Sequence, residues 1–183
     1  MILSKLKSLL TRRVENLSGS SLLQQPKPLN QCYSQIDIAQ RRQGDIYPSV
    51  EFQTGALPDT PTPYWMLLNR TCQLYEQEGK GCKLYALNYA AVYPLADAIL
   101  SGNSKASIKN QVSDYVNGRQ EAFVFLPADP DQGIDAPLVI NFNLIGTIDT
   151  NKCPIASKKC IQLSSPFSEH VFQKFSRFFY TVG

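Results

Sequence analysis

The sequence predicts an α+β fold: a small antiparallel β-sheet or barrel with inserted helices, a C-terminal amphipathic helix and an N-terminal helical arm. Three observations carry this expectation. Between residues 44 and 93, tyrosine, Trp65 and branched residues gather in short apolar runs bounded by Gly and Pro, as strands do. From Phe167 to Val182 the apolar positions Phe167, Val171, Phe175, Phe178 and Val182 recur at helical spacing, with Phe172 and Phe179 beside them. Ahead of both, residues 1–17 carry a second helical stripe that a polar, prolyl stretch separates from the rest.

The arm places Ile2, Leu6, Leu9, Leu10, Val14 and Leu17 on one face, with Lys5, Lys7, Arg12 and Arg13 largely off it. Such a stripe packs on its own domain, docks on a partner protein, or lies against a membrane surface or nucleic acid. Ser18 and Gly19 end it, and residues 18–42 form a linker stiffened by Pro26 and Pro28. The remaining chain, residues 43–183, forms one α+β domain.

Gly44 and Asp45 open the first strand, and Pro48 places it at an edge or a bulge. Residues 54–63 hold three prolines and form a loop. The second strand spans residues 64–69 and should bury Trp65; the glycines at 79 and 81 mark a hairpin turn into a third strand over 83–93. Helices follow at 94–101 and 104–117, the second stopped by Gly118. Short strands are expected at 121–126, 138–148 and 159–163, with an acidic turn over 127–135. Ser165 is the expected cap of the last helix, with Pro166 at its first position. That helix closes the core, with a homodimer seam as its other use.

Charge is unevenly spread. Residues 1–42 carry seven Lys/Arg against Glu15 and Asp37, and residues 43–183 carry eleven against thirteen Asp/Glu, so +5 and −2 make the total of +3. Any attraction for nucleic acid therefore belongs to the arm. Five cysteines without repeating spacing do not spell a disulfide framework or a zinc site, and His170 is the one histidine. No cofactor and no metal site is expected. The chain has no apolar run of the roughly 18 residues a spanning helix needs, and its start lacks signal-peptide character, so a cytoplasmic location is expected.

One polar cluster stands out, residues 69–73, at the end of a very apolar strand. Arg70 is the one arginine between Arg42 and Arg119. With strands one and two as neighbours, Arg70 would stand beside Asp45, and an arginine and a carboxylate so placed can bind and polarise a phosphodiester.

The run Arg42-Gln43-Gly44-Asp45-Ile46-Tyr47, a Gly/Pro loop, Pro63 through Asn69 and the apolar third strand resemble the opening of MazF/PemK-type toxins. The resemblance covers about residues 42–93 and implies an SH3-like barrel and an endoribonuclease acting on single-stranded RNA. Arg70 would be its phosphate-facing residue and Asp45 its base, while Thr62-Pro63 stands where that family has Arg-Pro. The Gly44-Asp45-Ile46 start, Cys72-Gln73-Leu74, and a Ser165-Pro166 helix ending in Val182-Gly183 also resemble an uncharacterised bacterial protein family.

With no complete catalytic constellation in the sequence, the first functional expectation is a non-catalytic protein-interaction subunit of a bacterial toxin–antitoxin or phage-defence type system. Leu6, Leu9, Leu10, Arg12 and Arg13 of the arm are then its partner-binding residues. The MazF/PemK-like ribonuclease is the alternative, and nucleic-acid binding through the arm a third reading.

Overall fold

The computed structural model describes residues 32–53, 57, 62–74, 84–99 and 105–182. The arm, the first part of the linker, most of the prolyl loop and the hairpin turn expected at 76–81 lie outside the described residues.

The central element is a five-stranded antiparallel sheet of β1 (Ile46–Pro48), β2 (Tyr64–Leu67), β3 (Ala86–Pro94), β4 (Phe123–Leu126) and β5 (Leu138–Asp149), in the order β1-β2-β3-β5-β4. The helices are α1 (Thr71–Leu74), α2 (Leu95–Ala98), α3 (Lys105–Val116) and α4 (Phe167–Val182). The α+β class and the antiparallel core are as the sequence predicts. The described residues show an open strand order.

Register explains why β2, and β3 from Tyr89 to Tyr93, read as unbroken apolar runs. Ile46 pairs with Met66, and Met66 with Ala90, and these side chains enter one core. Tyr47 pairs with Trp65, and Trp65 with Ala91, and these enter a second core on the opposite face. Strands covered on both faces lose the apolar–polar alternation of a half-exposed sheet. Trp65 is fully buried, as expected. A third, smaller core of Leu95, Ile99, Val112 and Val139 lies under α2 and α3.

The β3–β5 ladder jumps from Ala90↔Ile145 to Ala91↔Asn141, leaving residues 142–144 of β5 without partners on β3. This bulge re-aims the strand. Phe142 turns into the first core, its ring 5.1 Å from Phe175 and 6.3 Å from Phe178 of α4.

Four local expectations are corrected. Residues 32–42 belong to the folded body, not to a linker: Ser34 N donates to Gln162 O at 2.9 Å, Ser164 N donates to Cys32 O at 3.0 Å, and Cys32 and Tyr33 are buried. The strand expected at 159–163 is reduced to single bridges, Ile46↔Ile161 and Tyr33↔Leu163. The helix expected at 94–101 is the single turn α2, because Ile99 is already extended. Ser165 does not cap α4 through a backbone amide; its hydroxyl donates to Glu169 Oε1 at 2.8 Å. On α4, Val171 is fully buried, whereas Phe172, Phe175 and Phe178 are half-buried and Phe179 is 51% exposed. The helix is more apolar than the core beneath it requires.

Candidate functional site

An open cleft of about 870 Å³ runs between the end of β2 and one face of α4. Its sheet side is built by Gln43, Leu68, Asn69, Arg70, Thr71 and Asn88. Its helix side is built by Glu169, Phe172, Gln173, Ser176, Arg177 and Tyr180, a set three, four, seven, eight and eleven residues beyond Glu169 and hence on one helical face, with Phe175 beside them.

The sheet side is rigidly tied. Asn69 Oδ1 accepts the Asn88 amide at 2.7 Å, and Asn88 Oδ1 accepts the Thr147 hydroxyl at 2.8 Å. Gln43 donates from its backbone amide to Thr71 Oγ1 at 3.1 Å and from its side chain to Leu68 O at 3.0 Å. The two cations of the cleft are not tied in this way. Arg70 and Arg177 are both exposed, and neither guanidinium has a hydrogen bond or ion pair among the described residues. Tyr180 is 90% exposed beside them.

Glu169 is the one carboxylate lining the cleft among the described residues. The Ser165 hydroxyl first, then the Glu169 backbone amide and least the Ser168 hydroxyl hold its carboxyl below the usual carboxylate range. His170 is exposed beside Phe167 and does not line the cleft. Thr62, where the Arg-Pro of the resembled toxins has its arginine, is buried, and its hydroxyl donates to Val92 O at 3.0 Å.

Arg70 and Asp45, the residues singled out from the sequence, sit in different environments. Arg70 is at the cleft. Asp45 is fully buried: Oδ2 accepts Lys159 Nζ at 2.8 Å and the Arg42 amide at 2.7 Å, and Oδ1 accepts Gln162 Nε2 at 2.9 Å. Lys159 is equally buried and also donates to Gln40 O. Burial raises the Asp45 carboxyl above its ordinary value, while Lys159, the Arg42 amide and Gln162 act in the opposite sense. The arm residues Leu6, Leu9, Leu10, Arg12 and Arg13 lie outside the described residues.

Reading the sequence alone missed Arg177, Tyr180 and Glu169, because only the apolar stripe of α4 was followed. Their shared helical spacing was the available signal. Lys159 and Gln162 gave none, being 114 and 117 residues from Asp45. Among the described residues, no group of three or more His, Cys, Asp or Glu is placed to hold a metal ion, and no helix is long and apolar enough to cross a membrane. Compared with known proteins, the chain matches no family model and no curated protein.

Proposed function

We propose that this chain is a non-catalytic protein-interaction subunit, of the kind used in bacterial toxin–antitoxin or phage-defence systems, acting in the cytoplasm. Its cleft receives an acidic segment of a partner protein. The observation that carries this reading is the pairing of two exposed guanidiniums, unpartnered among the described residues, with Tyr180 in one cleft. Arginine and aromatic residues are the side chains that dominate protein interfaces, and an arginine fork matches a carboxylate. The excess of acidic residues over 43–183 argues against a general hold on polyanions. The amphipathic arm, with Leu6, Leu9, Leu10, Arg12 and Arg13, belongs to the same reading as a second docking element.

Fluorescence anisotropy tests it with two probes, a fluorescein-labelled peptide of Asp, Glu and Tyr and a labelled single-stranded RNA. The peptide should bind, and Arg70→Ala and Arg177→Ala should each weaken it roughly tenfold, the loss of about 1.4 kcal/mol expected of a charged hydrogen bond. The RNA should remain uncut. Failure of the peptide to bind, or equal binding by the variants, overturns the proposal.

A second reading is a MazF/PemK-like endoribonuclease. Arg70 standing in an open cleft with Tyr180, a face on which a base can stack, favours it. Curling of the sheet into an SH3-like barrel belongs to that reading, and the Tyr33 hydroxyl donating to Pro127 O at 2.5 Å, from beyond β1 to the end of β4, supports it. On this reading the wild type cuts the RNA probe and Arg70→Ala does not.

A further inference from the structure

We infer that Asp45 is a positioning residue for the cleft: it acts on Arg70 through the turn over residues 42–45, without touching either Arg70 or the ligand. The inference rests on the cleft being a binding site, as proposed above.

One residue closes the turn from both sides. The Asp45 carboxylate accepts the Arg42 amide, and the Asp45 amide donates to Arg42 O at 3.1 Å. Gly44 inside the turn has φ +90°, a backbone conformation that strains any residue carrying a Cβ, so the turn's path favours glycine there. Lys159 and Gln162 anchor the carboxylate to the far end of the chain. Gln162 also accepts the Asp37 amide at 3.0 Å, and Lys159 donates to Gln40 O, so the approach to the turn hangs on the same two side chains.

The outer side of the turn holds the segment that carries Arg70. Gly44 N donates to Leu67 O at 2.9 Å and Leu67 N to Asp45 O at 2.9 Å. Gln43 then bonds Leu68 O with its side chain and Thr71 Oγ1 with its amide. Arg70 therefore lies between two residues fixed by Gln43, while its own guanidinium has no partner among the described residues. A cation on a fixed backbone loses less freedom on binding than one on a loose loop. A buried ion pair is a weak source of stability compared with apolar packing of the same volume, so what this one supplies is a defined turn conformation.

None of Asp45, Lys159 and Gln162 lines the cleft, so any effect of their substitution on binding is transmitted. The test uses the full chain as Asp45→Asn and, because a lone buried Lys159 could prevent folding, also as the double variant Asp45→Asn/Lys159→Met. Native-state hydrogen exchange and anisotropy with the acidic peptide probe are read together. The amides of Gly44 and Leu67 should exchange roughly tenfold faster while those of α3 keep their protection. Peptide affinity should fall roughly fivefold with an unchanged salt dependence, whereas Arg70→Ala flattens that dependence. Unchanged exchange at Gly44 and Leu67 in a folded variant overturns the inference. So does exchange that rises uniformly, α3 included, with affinity intact, since that is stability alone. If the wild type does not bind the peptide, the proposed function falls, and the exchange pattern still decides whether the turn is held by Asp45.

Discussion

The ammonium of Lys159 meets the Asp45 carboxylate with both side chains sealed from solvent. Removing one member of such a pair leaves the other buried and uncompensated. Lys159→Ala is accordingly expected to destabilise the fold by about 3–5 kcal/mol, read from urea unfolding. The same change at the exposed pair Lys158–Glu51 should cost no more than about 1 kcal/mol. Burial also governs the thiols. It pushes Cys160 up to about 11, so little thiolate is present at pH 8. Mass-resolved alkylation with iodoacetamide should find Cys160 slow in the native protein and fast in urea; equal rates would contradict its packed environment. None of this pairing was legible in the sequence. Gly44-Asp45 read as the start of a strand, and a side chain's partners more than a hundred positions away leave no local signal.

At the scale of elements, α4 shows both what the sequence announces and what it conceals. Its limits and its apolar stripe followed from helical spacing. The depth of burial did not, because nothing local distinguishes a phenylalanine facing the core from one flanking a cleft. Its first turn carries the Ser165–Glu169 contact, which supports a pH prediction. Glu169 titrates below its ordinary range in the folded chain, so its contribution is complete above the unfolded carboxylate range and is lost as pH falls through the depressed value. Ser165→Ala should return the carboxyl toward the ordinary range in an NMR titration. A carboxyl that stays depressed would assign the shift to the helix terminus instead. The sheet was read more fully: β1, β2 and β3 fall where turn residues and apolar runs put them. The bulge at 142–144 was not read, since a shift of register is a relation between two strands.

For the molecule as a whole, the decisive fact is that two cores share β2 and β3. Trp65 reports the core on one face, and Phe142, 1% exposed, fills the other. Phe142→Ala should cost about 3–5 kcal/mol. Because the cores share a backbone, that loss should appear in full in the Trp65 fluorescence transition and coincide with the far-ultraviolet circular dichroism transition. Two separated transitions would mean that each face melts on its own. The apolar runs make a buried sheet legible, but its two-sidedness follows from the hydrophobicity of β2 and of residues 89–93 of β3 only once their register is known.

The seam between residues 32–34 and 162–164 has a consequence for biosynthesis. These segments are synthesised at opposite ends of the domain, and so are Asp45 and the Lys159 and Gln162 that compensate it. While the chain grows on the ribosome, β1, β2 and β3 can assemble as soon as they emerge, yet the carboxylate at their edge meets Lys159 only after 114 further residues have been made. Contacts of such long sequence separation form late. Translation through residues 159–164 therefore completes both the hydrogen bonding beyond β1 and the electrostatics of the turn beside the cleft.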